Sequence, residues 1–135
     1  MSLIQPHYSL ILSTSTFILP ILYSYKKNQK ALSATTLMAL CGSINYWMNP
    51  SLELGRNIDL FTSKLSAFIY FFYGYRKIKG VLPKLIGFNN LYIIYRLYNL
   101  SCKTFELYQN ETWIKYHVFF HMFTTFSKLY VIFWI

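Results

Sequence analysis

Five long apolar, aromatic-rich blocks fill most of this chain, and each is close to the ~20 residues a helix needs to cross a hydrocarbon core. They cover roughly residues 8–25, 31–48, 58–75, 83–100 and 113–135. None alternates apolar with polar residues, and all are too long for barrel strands, so they predict helices. Hydrophobic residues make up 55% of the 135, more than a soluble domain of this size can hide in its interior. The sequence therefore reads as all-α: a polytopic transmembrane helical bundle of about five spans, with residues 1–135 forming a single integral membrane domain. Pro20 predicts a kink in the first block. Asn89, Asn90, Arg96 and Asn99 make the fourth block the weakest. No basic residue precedes the first block and no small-residue cleavage pattern follows it, so it reads as a retained span and not a signal peptide.

The net charge of +9 does not imply a nucleic-acid partner, because the basic residues sit between apolar blocks and form no continuous stripe. They set an orientation instead. If every block crosses, Lys26, Lys27, Lys30, Arg76, Lys77, Lys79 and Lys84 share one face, which carries no acid. The other receives Glu53, Asp59, Glu106 and Glu111. The positive-inside rule then places the N-terminus outside or in a lumen and the C-terminus in the cytosol. Tyr and Trp residues near the block ends fit an interfacial belt. Asn99-Leu100-Ser101 and Asn110-Glu111-Thr112 match the glycosylation pattern, close to span ends where little modification is expected. Cys41 and Cys102 are isolated and predict free thiols. Lys128 is expected to reach the cytosolic interface, and His7 to be an exposed terminal residue.

Polar residues inside spans are costly and tend to be functional. Chain threading brings Ser43, Asn45, Asp59, Lys64, Arg96, His117 and His121 to one depth, the pattern of a site inside a bundle. Each has a structural explanation as well. Asp59 and Arg96 can tie two helices as an ion pair, Lys64 can join Asp59, and Ser43 and Asn45 can serve as interhelical hydrogen-bonding groups. The sharpest motif is His117-x-x-x-His121, since histidines four apart on a helix lie one turn apart and can reach a single metal ion.

The order of three motifs resembles the CREST superfamily, which includes alkaline ceramidases and adiponectin-receptor-type proteins. They are Ser43-Ile-Asn-Tyr46-Trp47, Arg56-Asn-Ile-Asp59 and His117-Val-Phe-Phe-His121-Met. The resemblance implies a helical zinc hydrolase acting on lipid amide or ester bonds. It implies zinc on His117 and His121, with Asp59 orienting the water or accepting its proton and Ser43 holding the oxyanion. Two departures stand out. Trp47 occupies the position of the family's third zinc histidine, and there is room for about five spans where the family has seven. Asp59 or Cys41 is left to complete the metal shell.

Two functions follow: a reduced CREST-like zinc-dependent lipid hydrolase, active or inactive, and a non-enzymatic helical protein acting as a structural or partner-binding subunit. Both place membrane lipids as partners and leave oligomerisation open. A pore is disfavoured, because the polar residues crowd into half of the bundle.

Overall fold

The computed structural model describes residues 7–50, 53–108 and 112–135. Six helices form five rods: α1 (Tyr8–Ser15) and α2 (Ile18–Lys26) share the first, followed by α3 (Lys30–Met48), α4 (Glu53–Lys77), α5 (Val81–Tyr108) and α6 (Thr112–Trp134). Each rod coincides with one apolar block. The first block breaks at Thr16-Phe17, one turn before Pro20. A proline has no N–H and its ring crowds the carbonyl four residues back, here that of Thr16. That carbonyl is instead taken by the Leu19 N–H at 3.1 Å.

The turn after α2 is a Schellman motif. Asn28 adopts φ 62, its N–H donates to the Tyr25 carbonyl, and the Gln29 N–H reaches the Ser24 carbonyl at 2.8 Å. Asparagine tolerates this left-handed conformation better than most residues, so the reversal into α3 is written in the sequence. Gly80, at φ 97, supplies the corresponding freedom before α5.

Successive rods run up and down. Three apolar clusters hold them together. Leu10, Trp47 and Trp113 lie at one end, Phe17, Ala39 and Leu40 in the middle, and Leu32, Tyr70 and Ile132 at the other end. Helices α3 and α4 approach closely because Gly42 has no side chain: a Cβ there would lie 2.7 Å from Thr62 Oγ1. Helix α5 packs along α6 but touches α4 over only a short stretch, which leaves a gap between α4 and α5.

The transmembrane reading is overturned. Among the described residues, no helix is long and apolar enough to cross a membrane. Length excludes α1 and α2, with 8 and 9 residues, but not α4 and α5, which have 25 and 28. Composition excludes those two. Helix α4 carries Glu53, Arg56, Asp59, Lys64, Arg76 and Lys77, and α5 carries Lys84, Arg96, Lys103 and Glu106 with three asparagines. The blocks also owe much of their apolar count to 12 of the 13 tyrosines, whose hydroxyls transfer poorly into hydrocarbon. The multi-pass membrane placement falls with this finding, as do the N-outside, C-cytosolic orientation and the interfacial role of Lys128. Of the two glycosylation patterns, Asn110 and Glu111 lie outside the described residues.

Candidate functional site

A cavity of about 170 Å³ occupies the gap between α4, α5 and α6, with α3 and the start of α2 as its back wall. It extends along α4 from Asp59 to Ile78, about 28 Å at 1.5 Å per residue. Its two limbs differ in chemistry. One is polar and lined by Ser43, Asp59, Ser63, Tyr98, His117 and His121. The other is mainly apolar, lined by Gly74, Ile78, Gly87, Phe88, Leu91 and Val131, with Tyr130 on one wall and Lys84, over the Tyr75 ring, at its end. Lys128 sits at the junction.

Threading correctly gathers Ser43, Asp59, His117 and His121 into the polar limb, from α3, α4 and α6. Asn45, Lys64 and Arg96 are exposed, and Arg96 faces the outer side of α5 with Tyr95 and Asn99. No Asp59–Arg96 ion pair forms. The Asp59 carboxylate instead accepts from Ser63 Oγ at 3.4 Å. Burial pushes its pKa up to about 6, opposed by the Ser63 hydrogen bond. The carboxyl is only half-buried, and water on its open side moderates that push.

His117 and His121 are buried, with ring centroids 4.7 Å apart and planes at 88°. Their hydrogen bonds assign the tautomers. Ser101 Oγ donates its one proton to the Trp113 carbonyl, so its 3.0 Å contact with His117 Nδ1 requires the imidazole to donate. Ser13 Oγ likewise donates to the Leu10 carbonyl and receives from His121 Nδ1 at 2.8 Å. Both rings therefore carry the proton on Nδ1 and keep Nε2 as an acceptor. Burial lowers the pKa of His117 to about 4. Burial, then repulsion from His117, lowers that of His121 well below the usual range, against a hydrogen bond to the Leu10 backbone. Both imidazoles are neutral at pH 7.

Ser43 is tied into the same network, its Oγ 2.8 Å from Thr14 Oγ1, which lies 3.1 Å from His121 Nδ1. Trp47, where the resemblance calls for a third histidine, packs edge-on to His117 at 5.2 Å between centroids. Cys41 is exposed, and no group of three His, Cys, Asp or Glu converges among the described residues. Two imidazoles alone fall one protein ligand short of a catalytic zinc site, so this donor set does not fit zinc.

Several residues in or behind the site escape the sequence reading. Ser13 and Thr14 belong to the hydroxyl run Ser13-Thr14-Ser15-Thr16 inside an apolar block, a signal available in the sequence. His7 is also misplaced by that reading. It packs against Trp47 and Trp113, with centroids 5.9 and 5.6 Å away. Lys128 is buried, donates to Ser66 Oγ at 2.8 Å and lies over the rings of Phe17 and Tyr70 at 4.5 and 5.2 Å. No carboxylate pairs with it among the described residues, and burial lowers its pKa to about 7. Asn90 Nδ2 and Ser127 Oγ also line the cavity, buried and without a partner. No family model, curated protein or solved structure matches this chain.

Proposed function

We propose that this protein binds a lipid-type amphiphile, with the apolar chain in the limb between α4, α5 and α6 and the polar end toward Lys128. The observation that supports this reading is the lengthwise division of one cavity into an apolar and a polar limb. A polar reaction site needs no apolar limb, and a structural core leaves no slot. Burying a chain contributes about 0.8 kcal/mol per methylene. Some ten methylenes contribute about 8 kcal/mol, which exceeds an association cost of about 4 kcal/mol and leaves binding favourable.

The hydrolase reading has less support. It needs a metal-bound water, and the Nε2 atoms of two histidines, with no third His, Cys, Asp or Glu converging on them among the described residues, fall one protein ligand short of holding the metal. Without that water, Asp59 and Ser43 have nothing to activate.

Calorimetry with dodecanol tests the proposal. Wild-type protein is expected to bind dodecanol. Gly87→Leu, which places a side chain inside the apolar limb, is expected to weaken binding at least tenfold. Equal binding by both proteins, or none by either, refutes it.

A partner-binding role is favoured by a separate observation. Phe61, Phe68, Phe72 and Tyr75 form an exposed stripe along α4 at helical spacing. Light scattering checks it: a monomer at all concentrations that captures no second copy argues against self-association through this face.

A further inference from the structure

We propose that the ligand of this cavity carries a compact acidic head, a carboxylate, seated among Lys128 Nζ, Asn90 Nδ2 and Ser127 Oγ. This rests on the amphiphile-binding reading and names the class of amphiphile.

The three groups share one level of the slot. Tyr98 packs on Phe120 at 5.4 Å, and Tyr130 Oη donates to the Pro83 carbonyl at 2.8 Å. Between those two contacts the antiparallel α5 brings Asn90 level with Ser127. Lys128 follows in sequence and lines the same cavity. Asn90 is 6% exposed, Ser127 8% and Lys128 6%. A buried donor without an acceptor costs about 1–3 kcal/mol, and a buried ammonium without a counter-ion costs more. Here two donors lack any partner and the ammonium has one neutral hydroxyl. Asp59 does not serve as counter-ion. It lies about 10 Å farther along α4 than Ser66, seven residues at helical rise.

The count of donors selects the head. A carboxylate has two oxygens and one negative charge, which match one ammonium and two neutral donors. A phosphate monoester brings nearly two charges, and the second would be stranded beside Phe17 and Tyr70. From the junction, the tail of a twelve-carbon acid reaches along Leu91, Phe88 and Val131 toward Ile78. The group also explains why Lys128 tolerates burial: bound carboxylate supplies the missing charge. Lys128 touches Phe17, just before α2, and Ser66 and Tyr70 from α4, while Asn90 from α5 and Ser127 from α6 line the same cavity. Of the groups in contact with it only Tyr70 titrates, pushed up to about 12 by burial against its Thr36 hydrogen bond; Asp59, His121 and Lys84 line the cavity farther along. Near pH 8.5 the free protein therefore holds Lys128 neutral, and seating a carboxylate draws one proton onto Nζ.

Calorimetry at pH 8.5 tests this with dodecanoate, dodecyl phosphate and dodecanol, each in two buffers of different ionisation enthalpy. Dodecanoate is expected to bind at least tenfold tighter than dodecanol, with uptake of about one proton. Lys128→Met is expected to abolish both the preference and the uptake. Equal affinity for dodecanoate and dodecanol, or no proton uptake in wild-type protein, overturns the head-group site and leaves the apolar slot standing. Tighter binding of dodecyl phosphate overturns the carboxylate assignment. Failure of all three ligands to bind refutes the slot itself. The two-buffer measurement on wild-type protein stands even if the variant does not fold.

Discussion

Stability should rise as the solution is made more alkaline from pH 7 to 9. The cause is Lys128. Burial lowers its pKa to about 7, against 10.5 for an exposed lysine. Between those values the unfolded chain holds a proton that the folded chain has given up, so the unfolded state binds more protons and folding strengthens with pH. The full window corresponds to about 5 kcal/mol at 1.36 kcal/mol per pH unit. The portion between pH 7 and 9 is about 2 kcal/mol, because Lys128 is still half-protonated at its onset. For a chain of this length that is roughly 7 °C in melting temperature.

The other groups whose pKa the fold shifts to a stated value act outside this interval. His117, with its pKa lowered to about 4, loses its stabilising effect only as pH falls from 6.5 toward 4. Asp59, raised to about 6, acts between 3.8 and 6 with the opposite sign. Tyr70 and Tyr98, both pushed up to about 12 chiefly by burial, lower stability only as pH rises past 10. Thermal unfolding followed by circular dichroism at pH 7, 8 and 9 should show the rise in wild-type protein. Lys128→Met should remove it and melt higher at pH 7, since it replaces a costly ammonium with an apolar side chain of similar length. A flat or falling wild-type profile, or a variant that keeps the slope, refutes the argument.

Gly42→Ala is expected to destabilise by about 1–3 kcal/mol, because its Cβ meets Thr62 Oγ1 at 2.7 Å. Urea titration should show part of that loss recovered in Gly42→Ala/Thr62→Ala. Thr14→Val removes the hydroxyl between Ser43 and His121 and should cost about 1–3 kcal/mol, read from the same titration. The His117 ring should stay neutral by NMR until the pH approaches 4; a midpoint near 6.5 would contradict its burial. Zinc measured on purified protein should fall well below one per chain, and His117→Ala should leave it unchanged.

The five rods were legible because apolar runs bounded by charge and turn residues specify helices whatever surrounds them. Pro20 marked the break for local steric reasons. The surroundings were misread for a physical reason as well. Tyrosine counts as apolar in a block but carries a hydroxyl, and charges spaced along α4 and α5 lower the hydropathy of helices that are long enough. Depth along each rod follows from connectivity, so Ser43, Asp59, His117 and His121 were placed together from sequence. Direction around a rod does not follow from depth, and Asn45, Lys64 and Arg96 proved to face outward. Lys128 was missed because a lysine near the end of an apolar block reads as reaching out to water, and only packing shows it turned inward.

The most direct measurement is nuclear Overhauser contact between ¹³C-labelled dodecanol and the protein. Contacts from the alkyl chain to Leu91 and Val131 are expected, because both line the apolar limb. Contacts only to outward side chains such as Leu85 and Leu107, 56% and 65% exposed, would place the ligand on the surface and contradict the account.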